Sequence, residues 1–235
     1  MIVLSTFGPL WGVPDPSPFV IKTEVQLKMS GLAYRTERWR PTEGPKGKVP
    51  FIVDGPEKIG DSVFIRDHLQ WTYGIDLDAG LSPRERALGW TVERMMEDHV
   101  YWAIVYARWA VRENFDKGPS IFFAGAPEEV REAAFERMGQ VLHGQGFGRH
   151  SLEEVADLAG RSFAAAALLL GEGPYLAGKT MGGADASLFA GVAAAAAPHF
   201  DSPVRDAVLQ HPNLIAYRDR MMARFYPQMA RARAA

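Results

Sequence analysis

Two serines in this chain stand where helices begin: Ser17, followed by Pro18, and Ser62, preceded by Asp61. Serine is a favoured N-cap and proline suits the first helical turn. A hydroxyl so placed sits at the positive end of a helix dipole, where it can cap the backbone or help hold an anion. The chain has no cysteine, which excludes structural disulfides, thiolate zinc sites and a cysteine nucleophile. His143 and His150 flank a Gly-rich turn without the close spacing of a metal pair, so no metal site is expected. The glycines from Gly144 to Gly148 lack the Lys-Ser/Thr that a phosphate-binding loop requires. Tyr101, Trp102, Tyr106 and Trp109 recur at helical spacings and read as core or interdomain packing. His99 and Arg108 read as satisfying polar groups near the same interface.

The elements that must position these residues fall into two textures. Up to about Gly74, short β-type runs alternate with Gly/Pro punctuation. Ile2 to Phe7 reads as a strand, the segment opened by Ser17-Pro18 as a helix closed by Gly31, and Ala33 to Trp39 as a second strand. Together these make a βαβ unit. Val49 to Val53 is the next strand, with Pro50 at its start compatible with an edge position or a cis bond. Asp54-Gly55 marks a hairpin turn, Lys58 to Gly60 a short antiparallel strand, and Ser62 the N-cap of the next helix. Residues 76–81 form the linker, dividing a domain at 1–75 from one at 82–235.

Beyond the linker the chain reads as helical. Ser82-Pro83-Arg84-Glu85 and Ser151-Leu152-Glu153-Glu154 are capping boxes. The helix from Ser82 is expected to run past Trp109, with a break near Phe115 to Pro119. Another begins at Pro127-Glu128-Glu129. The Ala-rich helix from Gly183 is apolar all round and must lie deep inside. Pro212 opens the last helix, which is read as ending near Tyr226-Pro227.

The 235 residues are ample for a sizeable core, and 47% hydrophobic residues is ordinary for a globular protein. A formal net charge of −2 points neither to nucleic acid nor to an anionic membrane. The N-terminus lacks the basic start and apolar run of a signal peptide, and Ala184 to Pro198 is too short to span a bilayer. A cytoplasmic protein is expected.

A ββ hairpin after a βαβ unit, followed only by helices, resembles the glutathione transferase layout. The motifs sharpen that resemblance. Ser17-Pro18-Phe19 stands where the family carries its Ser, Cys or Tyr. Lys48-Val49-Pro50 resembles its cis-proline turn, Asp61-Ser62 its acidic-Ser pair, and Leu176-x-Gly178 with Ala184-Asp185 the signature of its central C-terminal helix. Longer runs are similar to the Fax/metaxin-like branch, which includes the failed axon connections proteins and bacterial relatives linked to cadmium resistance. They are Gly44 to Ile52, Arg84 to Ala87, His99-x-Tyr101-Trp102, Arg108-Trp109, Gly144 to Ser151 and His211 to Leu214.

The resemblance implies a thioredoxin-like α/β N-terminal domain joined to an all-α C-terminal domain, a homodimer, and glutathione as co-substrate. Glutathione is a thiol tripeptide with two carboxylates and one ammonium. Ser62 then suits the γ-glutamyl carboxylate and Asp61 the ammonium. Val49 before cis-Pro50 presents its backbone to the tripeptide like an added strand, Lys48 meets the glycyl carboxylate, and Phe19 belongs to the same binding set. Ser17 donates a hydrogen bond to the thiolate, readying it for conjugation to a small hydrophobic electrophile or for thiol-dependent removal of a group from it. Lacking cysteine, the chain departs from relatives that form mixed disulfides. It also has Gly182 where the family usually has Ser or Thr three residues before Asp185. The competing expectation is a non-catalytic, metaxin/Fax-like interaction module with a vestigial glutathione site. Against a metaxin-type role, the sequence ends Arg231-Ala232-Arg233-Ala234-Ala235 without a membrane anchor.

Overall fold

The computed structural model describes residues 1–234; Ala235, the last residue of the expected C-terminal region, lies outside the described residues. Strands β1 (Ile2–Thr6), β2 (Tyr34–Arg38), β3 (Phe51–Asp54) and β4 (Glu57–Gly60) form one sheet in the order β2-β1-β3-β4. β1 and β2 run parallel in register Ile2↔Tyr34, as the βαβ reading requires, and β3 and β4 add as an antiparallel hairpin. Helix α1 (Pro18–Ser30) makes the crossover and ends on Gly31, whose φ of 70° lies in the left-handed region that glycine adopts freely. Helix α2 (Ser62–Tyr73) follows the hairpin. Ile2, Leu4, Leu27, Ile52, Ile65 and Leu69 close a small core between the sheet and these two helices.

The helical part comprises α3 (Pro83–Arg94), α4 (Tyr101–Trp109), α5 (Arg112–Lys117), α6 (Glu128–Gln145), α7 (Leu152–Leu170), α8 (Gly183–Ala195), α9 (Pro203–Leu209), α10 (Pro212–Phe225) and α11 (Pro227–Ala234). Both capping boxes form as read. Every residue of α8 is buried, which is what an all-round apolar helix demands. Its Asp185 accepts from the Gly182 and Leu176 N–H groups, and the Tyr217 hydroxyl donates to the same carboxylate. The missing Ser/Thr cap is thus compensated from a neighbouring helix. No helix among the described residues is long and apolar enough to cross a membrane.

Several boundaries differ from the sequence reading. The long helix from Ser82 passes through a π-helical turn at Met95–Val100 before α4, and it stops at Ala110 rather than running on. A short helix capped by Ser202 and a further helix beyond Pro227 both escaped the periodicity argument. Each spans two turns or so, too few for a hydrophobic stripe to declare itself.

The contact between the two halves is partly ionic. Lys22 of α1 is 1% exposed and its ammonium meets both Glu93 and, at 2.6 Å, Glu97 on the α3–π segment. Arg66 reaches Glu93 and Asp78, Arg94 reaches Glu97, and the Ser187 hydroxyl of α8 donates to Glu97 at 2.8 Å. The helix that begins at Ser17 is therefore fixed against the helical half one turn further along.

Candidate active site

The turn between β1 and α1 is organised by a carboxylate that the sequence reading passed over. Asp15 is 1% exposed and accepts from three backbone N–H groups: Phe7 at 2.8 Å, Gly8 at 3.0 Å and Ser17 at 2.9 Å. The available signal was Pro14-Asp15-Pro16-Ser17. Proline leaves no N–H at 16, so an Asp side chain folding back onto its own chain must take the N–H two residues on. Arg108, fully buried, donates to the Pro16 carbonyl at 2.8 Å and to Ala194 of α8 at 2.6 Å. It lies over the Trp11 and Phe200 rings. Its expected role at the interface is thus observed, and it clamps the residue just before Ser17.

Burial pushes the Asp15 carboxyl up to about 7, against the opposing pull of its three backbone donors. The sign follows directly. The folded chain holds this proton more tightly than the unfolded one, so the group's contribution to stability grows as pH falls from about 7 toward the ordinary carboxylate range. The limit is about 1.4 kcal/mol per pH unit. The stability of wild type relative to Asp15→Asn, measured by urea unfolding at pH 7.5 and 5.5, should therefore rise on acidification. An equal gap at both values would contradict it.

Ser17 is half-buried at the N-cap of α1, and its hydroxyl accepts from the Val20 N–H at 3.4 Å. That bond is long, so the cap is weak and the hydroxyl proton is uncommitted. Val20 also packs with Val49 and Phe51, which brings the start of α1 against the turn that enters β3. The Val49-Pro50 peptide is cis. Neither the N–H nor the C=O of Val49 is taken by another described residue. Ser5 holds this turn from below, its hydroxyl bonding both the N–H and the C=O of Phe51.

The third piece is the β4–α2 junction. The Asp61 N–H donates to the Pro50 carbonyl at 3.2 Å, tying this junction to the cis turn. The structure corrects the expected cap: Asp61, not Ser62, is the N-cap of α2, its carboxylate accepting from Val63 at 3.1 Å. Asp61 adopts φ 85°, a left-handed conformation in which Asp is tolerated at a cost. Ser62, no longer the cap, is 3% exposed as a residue, and its hydroxyl has no hydrogen-bond partner among the described residues.

Lys48 stands 3.6 Å from Asp61 and is 62% exposed, so its ammonium pairs with Asp61 rather than standing free. Lys46, not singled out as a site residue from the sequence, approaches the same carboxylate at 4.0 Å. Phe19 turns the other way. Its ring meets Tyr101 edge-on at 4.8 Å and faces the helical half beside Lys22 and Glu97, apart from the Val49–Asp61 group. The structure therefore brings together Ser17, Val49, Pro50, Asp61, Ser62 and Lys48, and places Phe19 at the interface.

The other aromatics pack as expected, Trp109 stacking on Phe122 and Tyr106 donating to the His150 carbonyl. Within the β1–α1 turn, Phe7 and Trp11 also meet Phe122, and Phe7 and Phe122 line an open cleft.

Comparison with known proteins gives a consistent set of likenesses. A family model described as glutathione S-transferase N-terminal domain matches residues 18–115, and one described as glutathione S-transferase C-terminal domain matches residues 159–221. The chain is 32% identical to the isoprene-epoxide–glutathione S-transferase of Rhodococcus sp. (strain AD45), over 96% of this chain and 99% of that one. It is 27% identical to Failed axon connections of Drosophila melanogaster over 92% of this chain, spanning 56% of that protein's length. Among solved structures, the beta-etherase LigF of Sphingobium sp. strain SYK-6 matches at a TM-score of 0.66 and 21% identity, over 97% of this chain and 98% of that one. A glutathione S-transferase of Methylobacterium radiotolerans, in complex with glutathione sulfonate, matches at 0.60 and 18%, over 97% and 94%. At such identities the structural matches speak to fold.

Proposed function

Because the chain belongs to the glutathione S-transferase family, we propose that it is a glutathione-dependent transferase whose thiolate is held by Ser17. The observation that carries this reading is the set of unspent hydrogen-bonding groups around the start of α1: the Val49 N–H and C=O, the Ser62 hydroxyl and the Ser17 proton. An extended tripeptide backbone lies across Val49 as an added strand would. Its γ-glutamyl carboxylate meets Ser62 at the positive end of α2, and its ammonium meets Asp61. Lys48 and Lys46 leave Asp61 for that exchange, with Lys48 turning to the glycyl carboxylate.

The chemistry requires the thiol proton to leave for solvent and the resulting thiolate to attack carbon. The Ser17 hydroxyl donates to the sulfur and the α1 dipole adds to the stabilisation, lowering the thiol's effective pKa. With an epoxide, the electrophile class in the name of the Rhodococcus relative, a C–S bond forms as a ring C–O bond breaks. Its electron pair goes to oxygen, which takes a proton from solvent.

Titration of glutathione by calorimetry tests the site. Wild type should bind saturably at millimolar concentration or below, and Asp61→Asn/Ser62→Ala should lose about tenfold or more in affinity, the worth of charge-assisted bonds to the amino acid end. Absence of binding to a correctly folded wild type would leave the alternative reading, a non-catalytic module on a transferase fold.

A further inference from the structure

Beside the end of β1 and the first residues of the β1–α1 turn lies an open cleft of about 470 Å³. Its walls are apolar, with Phe7 at the end of β1, Trp39 after β2, and Ile121 and Phe122 from the segment beyond α5. Ile121 is 53% exposed and Phe122 41%, so this wall is open to solvent. Its rim is cationic. Arg38 and Arg40 both line it, and neither guanidinium makes an ion pair or hydrogen bond among the described residues. The one carboxylate on the lining, Glu43, accepts from the backbone N–H of Arg40 at 2.7 Å rather than from a guanidinium.

Two features fix this arrangement to the reacting centre. Phe7 and Ser17 both donate their N–H to the Asp15 carboxylate, so the cleft wall and the serine are one carboxylate apart. The Arg38 guanidinium lies across the turn at Gly8, where an added Cβ would come within 3.0 Å of Nη2. Gly8 has φ 85°, a left-handed conformation that disfavours a side chain there, so the turn stays open for the guanidinium to lie across it.

We propose that the electrophile taken by this protein carries a carboxylate on a flat, apolar or aromatic body, with Arg38 and Arg40 gripping the carboxylate and Phe7, Trp39 and Phe122 flanking the body. The inference rests on the transferase reading and narrows its substrate from a neutral hydrophobic electrophile to an anionic one. Two unpaired guanidiniums offer planar forks that match a carboxylate, and no existing partner need be displaced. The exposed face of Phe122 and the half-buried Phe7 and Trp39 supply the remaining contact area.

The test compares 4-chloro-3,5-dinitrobenzoate with the neutral 1-chloro-2,4-dinitrobenzene. In each, thiolate sulfur bonds to the ring carbon and chloride leaves with the C–Cl electron pair, the thiol proton having gone to buffer. After correction for the uncatalysed rates, wild type should show a KM at least tenfold lower for the carboxylated compound. In Arg38→Gln/Arg40→Gln the kcat/KM ratio of the two should fall to near one. A second measurement needs no turnover: calorimetric titration with 3,5-dinitrobenzoate, which has no leaving group, should show binding to wild type and about tenfold weaker binding to the variant. If the variant keeps the wild-type ratio, the cleft assignment is overturned. If the variant instead loses affinity for glutathione, the arginines serve the tripeptide and the assignment is again overturned. If wild type binds dinitrobenzoate through these arginines but no glutathione, the transferase reading falls and the electrophile with it.

Discussion

Ser17→Ala should lower kcat/KM for glutathione conjugation by about 10- to 100-fold, the range expected when one hydrogen bond to a charged group is removed. Glutathione affinity should change little, because the γ-glutamyl end and the backbone exchange at Val49 do not involve this hydroxyl. The thiol of bound glutathione, followed by thiolate absorbance against pH, should titrate about one to two units higher than in wild type. This second reading separates thiolate stabilisation from capping. The Ser17 cap bond is 3.4 Å long, so its loss costs helix stability of at most about 1 kcal/mol and leaves the thiol's titration alone. Ser17→Thr keeps a hydroxyl at the same place and should restore most of the rate. Unchanged turnover and unchanged thiol titration in Ser17→Ala would reduce Ser17 to a cap.

The second large effect concerns the interface rather than the reacting atoms. Lys22→Met should destabilise the protein by about 3–5 kcal/mol, because it leaves Glu93 and Glu97 buried with their main cation gone. Arg66 and Arg94 remain near them, yet both reach in from partly exposed positions and are already engaged elsewhere, Arg66 with Asp78 and Arg94 with Asp98. A triple variant, Lys22→Met/Glu93→Leu/Glu97→Met, should recover much of the loss, since apolar groups of similar volume need no pairing. Urea unfolding monitored by tryptophan fluorescence and by far-ultraviolet dichroism reads both variants. A loss below about 1 kcal/mol for the single variant would show that water or the two arginines compensate the pair. Lys22 lies five residues after Ser17 on one continuous helix. Its loss should therefore also shift the angle at which Ser17 meets the cis turn, and reduce turnover beyond what the population of folded protein explains.

Stability and catalysis meet again at Asp15 and Arg108. One gathers the N–H groups of residues 7, 8 and 17, and the other clamps the carbonyl of residue 16. The turn before α1 contains three prolines, Pro9, Pro14 and Pro16, and makes few backbone hydrogen bonds of its own. Its shape is set by these two polar side chains, each buried where a replacement would leave backbone groups without partners.

Local chemistry determined much of this protein from the sequence alone. Ser82 and Ser151 announce their helices because a capping box is closed within four residues. Gly31 ends α1 because only a residue tolerant of positive φ continues the chain there. The apolar surface all round Gly183–Ala195 allows no place for that helix but the core. The order of strands and helices, with Ser17-Pro18, Val49-Pro50 and Asp61-Ser62 at their junctions, carried the family likeness because each motif is contiguous.

What the tertiary structure decided involves partners far apart in the chain. That Asp61 caps α2 and leaves the Ser62 hydroxyl free depends on the Asp61 N–H finding Pro50, eleven residues away, and on the positive φ this imposes. That Phe19 packs on Tyr101, apart from Val49 and Asp61, depends on how α1 meets α4. Lys22 with Glu93 and Glu97, and Arg108 with Pro16 and Ala194, join residues seventy or more positions apart. No periodicity or spacing encodes such pairs. They appear only when packing excludes water and every buried charge and carbonyl must find whatever partner the fold has placed beside it.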